Sequence, residues 1–146
     1  LIGGSAMLFG WAKPVPVDFA RLRHPKKDML WVAAAGPFTN LLMAVGWAAL
    51  LKIVSLAPEN LYTVPMAKMA LAGIEINAVL MLLNLLPIPP LDGSHIMALV
   101  LPRELARLYG YLQPVGMVII IILMFTGILW KILLPLVRQV ALIMLG

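Results

Sequence analysis

Three stretches of the chain are apolar and nearly free of charge, and polar segments separate them. The first, 29–51, is 23 residues long, and the last, 108–130, has the same length. Both are long enough to cross a bilayer, since a spanning helix needs about 20 apolar residues. Between them, 69–86 carries one charged residue, Glu75. The pattern predicts an all-α membrane fold with about three transmembrane helices, near 29–51, 69–86 and 110–130.

The segment 87–93, Pro-Ile-Pro-Pro-Leu-Asp-Gly, follows the second predicted helix. Its three prolines lack a backbone donor and block the helical hydrogen-bond ladder, so this segment cannot form a regular helix. A short helix is expected to resume over 94–101, followed by a polar loop over 102–109. A lysine and a proline interrupt the last apolar run, which leaves 136–146 as a short C-terminal helix or interfacial tail.

The composition indicates that lipid surrounds much of the chain. Hydrophobic residues make up 63% of the 146 positions and charged residues only 12%, whereas soluble domains carry about 25% charged residues. The chain has no cysteine, which excludes disulfides, thiolate nucleophiles and thiolate metal sites. We expect a single membrane domain over 1–146. Because the sequence starts at Leu1 without a targeting segment, we also expect it to be an internal part of a longer protein.

The net charge of +5 is unevenly distributed. The segment 13–28 contains five basic and two acidic residues. Basic loops beside transmembrane helices tend to stay on the cytoplasmic side. Two predicted helices separate this segment from the loop 102–109, which holds Arg103 and Arg107, so both loops are expected to be cytoplasmic. The charge therefore indicates membrane topology, and no nucleic-acid partner is expected.

Several polar side chains fall at predicted membrane depth, where polar groups require an explanation. Asn77 and Asn84 are seven residues apart and share a helix face. Asp92 follows in the proline-broken segment, and irregular backbone at this depth must pack in protein or line a water-filled cavity. Asp92 therefore either belongs to a turn at the membrane surface, with Asn84 bonding between helices, or forms a metal or proton site. Glu75 is expected to reach the membrane interface.

The two histidines allow an incomplete metal site. His24 lies in the basic segment and is expected to be solvated. His95 follows Asp92 by three residues, so on a helix the two side chains would share a face as a pair of metal ligands. Catalytic zinc takes three protein ligands and keeps one open position. The residues alone do not supply an obvious third ligand.

Two strings resemble the site-2 protease family of intramembrane zinc metalloproteases. They are Gly-Pro-Phe-Thr-Asn at 36–40, which by itself favours simple helix packing, and Asn-Leu-Leu-Pro-Ile-Pro-Pro-Leu-Asp-Gly at 84–93. The segment 10–17, Gly-Trp-Ala-Lys-Pro-Val-Pro-Val, resembles the bacterial and archaeal branch without an inserted PDZ domain. The resemblance implies that Asp92 is a zinc ligand. It also implies that Asn84 is an active-site residue that binds substrate or stabilises the oxyanion.

The resemblance implies a zinc-dependent endopeptidase that cleaves transmembrane proteins or peptides within the lipid bilayer of a prokaryotic cell. The HExxH motif that supplies the family's two histidine ligands and general base is absent, and is expected upstream of this sequence. The chain is therefore expected to be inactive alone. Two other functions stay open: a non-catalytic scaffold or fragment, and a small ion transporter lined by Asp92 and Asn84.

Overall fold

The computed structural model describes residues 25–146, which form six helices and no strand. The predicted all-α fold is therefore confirmed. Most of the segment 13–28, all of 10–17 and His24 lie outside the described residues. In chain order the helices are α1 (Pro25–Ser55), α2 (Thr63–Leu85), α3 (Asp92–Val100), α4 (Arg103–Gly110), α5 (Gln113–Phe125) and α6 (Ile128–Leu145).

Three of these helices are long and apolar enough to cross a membrane. They are α1 from Asp28 onward, α2 and α6. The number predicted from the sequence is confirmed, and the first two lie where they were expected. In addition, α4 and α5 meet at 67° and together form a broken fourth candidate.

The third predicted span, 110–130, is not one helix. Gly127 has φ of 73°, in the left-handed region, and its amide donates to the Met124 carbonyl at 3.2 Å. A glycine in this conformation ends a helix, so α5 stops and α6 begins directly afterwards. The segment 136–146 is correspondingly not a separate tail, since α6 continues through Pro135 as one helix of 18 residues.

The polar segments between the long helices are shorter than the sequence suggested. The segment 102–109, predicted as a loop, is almost entirely the helix α4. The turn between α1 and α2 covers only 56–62, and the side chains of Asn60 and Thr63 bond each other's backbone amides where α2 starts. Asn60 Oδ1 accepts from the Thr63 amide at 2.9 Å, and Thr63 Oγ1 accepts from the Asn60 amide at 2.8 Å.

The core is centred on α2, which contacts α1 along its length and also packs on α6 and α3. The buried positions of α2 recur every three or four residues, as expected for one helix face. From α6, three buried side chains at intervals of four complete this core. These positions are Ala70, Gly73, Ile74, Asn77 and Ala78 of α2, and Leu129, Leu133 and Val137 of α6. Many of the remaining large apolar side chains are exposed, as suits helices that face lipid.

Candidate functional site

The pairing of α1 with α2 brings the two strings singled out in the sequence to the same level. Two contacts define the register: Trp47 lies against Gly73, and Gly36 lies near Asn84. Eleven residues separate the two α1 positions, and eleven separate the two α2 positions. Eleven residues make about three helical turns. A single antiparallel register therefore explains both contacts, with one face of each helix in the interface.

The irregular segment 86–91 then turns the chain back, so that α3 begins beside the end of α2. The Leu91 amide donates to the Ile88 carbonyl at 3.0 Å within this segment. Gly93 in the first turn of α3 lies so close to the Leu85 carbonyl that a Cβ would overlap it. This close approach holds the first turn of α3 against α2. The predicted break is confirmed, and the helix resumes at residue 92, with the glycine inside it.

The Asp92 carboxylate lies against Gly36 of α1. A Cβ at Gly36 would overlap Asp92 Oδ2, and it would lie 3.3 Å from the carboxyl carbon and 3.9 Å from Asn84 Nδ2. The helices α1, α2 and α3 thus each contribute one residue to the same point. Both residues nominated from the sequence, Asp92 and Asn84, lie at this point.

Asn77 and Asn84 share a face of α2 but have different surroundings. Asn77 is buried, and its Nδ2 donates to the Gly73 carbonyl one turn earlier at 2.8 Å. Asn84 is half-buried, and within residues 25–146 its amide has no hydrogen-bond partner. Asn77 therefore contributes to helix packing, whereas the amide of Asn84 is available at the site.

Three influences act on the charge of Asp92. Asp92 lies in α3, outside the three candidate membrane-spanning helices, and is half-buried. Removal from water raises the pKa of its carboxyl group, and the nearby His95 lowers it. Position in the first turn of a helix also favours a carboxylate, because the free amides there point toward it. His95, three residues later in α3, therefore lies close enough to affect the charge of the carboxyl group.

The described residues do not form a complete zinc site. Among residues 25–146 no three His, Cys, Asp or Glu side chains lie close enough together to hold a metal ion. Asp92 and His95 supply two donors at most, whereas catalytic zinc takes three protein ligands. The carboxylate of Asp92 suits one position of a zinc site. The described part of the chain does not supply the other ligands around it.

Two other polar candidates lie elsewhere. Glu75 was expected near the membrane interface, but α2 begins at Thr63, so Glu75 lies more than three turns inside the helix with its side chain exposed. The apolar run that located this helix in the sequence starts at residue 69, whereas the helix itself starts at Thr63. Asn40 lies one turn beyond Gly36 in α1 and is half-buried.

Two features of the site were missed in the sequence. The first is the contact of Gly36, since a glycine in a string of small residues is equally typical of helix packing. The second is Tyr109 of α4, whose hydroxyl donates to the Pro87 carbonyl. Tyr109 also borders a cavity of about 310 Å³ between α3, α4 and the proline-broken segment, with His95 and Gln113 among its lining residues. Contacts of this kind leave no periodic signal in the sequence.

The comparisons with known proteins give one relative. A protein of Bacillus subtilis (strain 168) named "Putative zinc metalloprotease YwhC" is 31% identical over 132 residues. The match covers 86% of this chain and 60% of the relative, so the chain spans less than two thirds of that protein's length. No family model matches the chain, and no solved structure matches it. The chain is therefore similar to a protein named as a zinc metalloprotease, which agrees with the resemblance of its sequence to a protease family.

Proposed function

We propose that the chain is part of a zinc-dependent intramembrane endopeptidase of the site-2 protease type, which hydrolyses peptide bonds of transmembrane proteins or peptides. The observation that carries the proposal is the contact of Asp92 with Gly36, beside Asn84. Two strings that resemble the same family, far apart in the sequence, meet at this point. The relative from Bacillus subtilis and the three apolar helices support the same class of enzyme.

In this proposal Asp92 supplies one carboxylate ligand to the zinc. The rest of the ligand set and the general base belong to parts of a longer protein outside the described residues. The metal supplies Lewis-acid chemistry when it is bound. The described residues provide the carboxylate, its packing against α1 and a neighbouring amide.

Asn84 is assigned the role of a hydrogen-bond donor to the substrate carbonyl. Its amide has no partner among the described residues, and it lies beside Asp92 at the point where three helices meet. A donor held in place by the protein stabilises negative charge that develops on the carbonyl oxygen during hydrolysis. Asn84 is therefore proposed as a catalytic residue and Asp92 as a metal ligand.

The proposed location is a prokaryotic cell membrane, with the segments 13–28 and 102–109 on the cytoplasmic side. The proposed partners are the lipid bilayer and a transmembrane protein or peptide substrate. The 146-residue chain by itself is expected to bind zinc weakly and to cleave nothing, because a single carboxylate and one histidine are too few ligands.

The test is Asp92→Asn in the full-length protein, with Glu104→Gln as the matched control at an exposed carboxylate of α4. Zinc content and cleavage of a single-span substrate are measured for both purified variants. The expected result is loss of cleavage and reduced zinc in Asp92→Asn, with normal values in Glu104→Gln. Cleavage by Asp92→Asn at the rate of the unmodified protein would exclude the metal-ligand role.

A further inference from the structure

Helix α4 carries polar and apolar side chains on separate exposed faces. Arg103 and Arg107 are four residues apart and both exposed. Leu105 and Leu108 are three residues apart and are 49% and 61% exposed. Residues three or four apart lie on the same side of a helix. The described part of the protein therefore leaves both an arginine face and a leucine face of α4 uncovered.

The third face of α4 packs against the proline-broken segment that leads into the candidate site. Ala106 and Tyr109 are half-buried and border the cavity beside the proline-broken segment. The Tyr109 hydroxyl donates to the Pro87 carbonyl. In α5, Gly116 lies so close to the Pro89 carbonyl that a Cβ would overlap it. The corner formed by α4 and α5 thus holds the segment that leads into Asp92 at two points.

The angle between α4 and α5 indicates where α4 lies relative to lipid. Helix α5 has no charged residue and exposes Val118, Ile121 and Ile122, so hydrocarbon suits its surroundings. Helices in hydrocarbon tilt by about 20° from the bilayer normal on average. An α5 with this average tilt would bring α4, which is bent by 67° from it, much closer to the membrane plane. Complete burial of α4 in the lipid hydrocarbon would also be unfavourable, because the helix carries charged residues.

We propose that α4 lies in the surface of the phospholipid bilayer and fixes the depth of the candidate site. Leu105 and Leu108 enter the acyl-chain boundary, and Arg103 and Arg107 bond the phosphate oxygens of lipid headgroups. A helix with separate apolar and cationic faces binds the bilayer interface in this way, and guanidinium groups match phosphate geometry well. Through Tyr109, this surface helix holds the segment 86–91 at a set distance below the headgroups.

The first test measures the depth of single spin labels in α4. The chain contains no cysteine, so Leu108→Cys and Arg107→Cys each carry one nitroxide, with Leu105→Cys and Glu104→Cys as a second pair. The labelled chains are placed in vesicles of phosphatidylcholine and phosphatidylglycerol. Oxygen, which concentrates in lipid, and a water-soluble nickel chelate report on the surroundings of each label.

The ratio of oxygen to nickel accessibility is expected to be several-fold higher at the two leucine positions than at the two polar positions. Equal exposure of all four labels to the nickel chelate would place α4 in water and overturn the proposal. Equal protection of all four labels would place it within protein or hydrocarbon, which overturns the proposal as well. Circular dichroism of each labelled chain checks that it remains helical.

The second test addresses the connection to the site. Tyr109→Phe removes the hydroxyl that bonds the Pro87 carbonyl, and Tyr111→Phe is the control because Tyr111 is 71% exposed. Amide hydrogen exchange in vesicles is expected to accelerate at Leu86, Ile88 and Leu91, the positions of 86–91 that are not proline, in Tyr109→Phe and to stay unchanged in Tyr111→Phe. Identical exchange in the two variants would show that α4 does not hold this segment. Neither test depends on proteolytic activity, so the proposed function can fail separately.

Discussion

Gly36 of α1 and Asp92 of α3 are in direct contact, and the contact requires a residue without a side chain at position 36. The carboxylate occupies the space where a Cβ would stand, and Asn84 borders the same space. Gly36 therefore positions Asp92 from across the helix interface. This relationship makes a single methyl group a sensitive probe of the site.

Gly36→Ala is expected to displace the Asp92 carboxylate, because the new methyl group would overlap it. Gly46→Ala is the matched control in the same helix, since nothing lies within 4 Å of a Cβ there. In the full-length protein, Gly36→Ala should lower both zinc content and cleavage. Gly46→Ala should leave zinc content and cleavage unchanged. Its higher helix propensity should add up to about 1 kcal/mol to the stability of α1.

A second control separates the site from general packing. Gly73→Ala would overlap the Trp47 indole, three turns from Gly36 along the same interface. It should lower the free energy of unfolding by about 1–3 kcal/mol through overpacking, while zinc per folded molecule stays unchanged. Equal zinc content in Gly36→Ala and Gly46→Ala would contradict a positioning role for Gly36.

Asn84→Ala should reduce turnover more than zinc occupancy. Loss of one donor to a developing oxyanion typically lowers kcat by about 100-fold or more, whereas an amide that does not bind the metal has little effect on its affinity. Asn77→Ala is the control on the same helix face. It removes a buried bond to the Gly73 carbonyl and should cost about 1 kcal/mol of stability with turnover retained. Comparable loss of turnover in both variants would argue against a catalytic role for Asn84.

The turn 56–62 and helix α4 are expected on opposite sides of the membrane, because α2, which is long and apolar enough to cross it, lies between them in the chain. Glu59→Cys should react with an impermeant maleimide added to intact cells, and Glu104→Cys only after the cells are opened. Cysteines at positions 24 and 105 should also resist labelling from outside. Glu104 is the sharper reporter, since Leu105 lies on the apolar face of α4. Labelling of both Glu59→Cys and Glu104→Cys from outside would require a different topology.

Gly127→Ala is expected to destabilise the junction of α5 and α6. The left-handed conformation at Gly127 costs a residue with a side chain about 1–2 kcal/mol. Gly110→Ala is the control, because a Cβ there meets no atom within 4 Å and Gly110 has no positive φ. Unfolding in mixed micelles should show a lower midpoint only for Gly127→Ala. An unchanged midpoint would mean that the junction does not limit stability.

The sequence determined the all-α fold class of the protein and the positions of its first two long helices. The apolar runs 29–51 and 69–86 did become long helices, since lipid leaves backbone groups no other partner, whereas the equally apolar run 108–130 did not become one helix. The proline-broken segment was equally clear, because proline cannot take part in the helical ladder. Asp92 and Asn84 stood out as candidates because polar groups are rare in such surroundings.

The tertiary structure decided where the third long helix lies and what surrounds the candidate residues. The break at Gly127 depends on one φ angle, which hydropathy does not report. The contact between Gly36 and Asp92 depends on the register of α1 against α2 and on the return of the chain through 86–91. Both are set by side-chain packing between distant segments. The sequence could therefore nominate Asp92 and Asn84, but only packing could bring them together over Gly36.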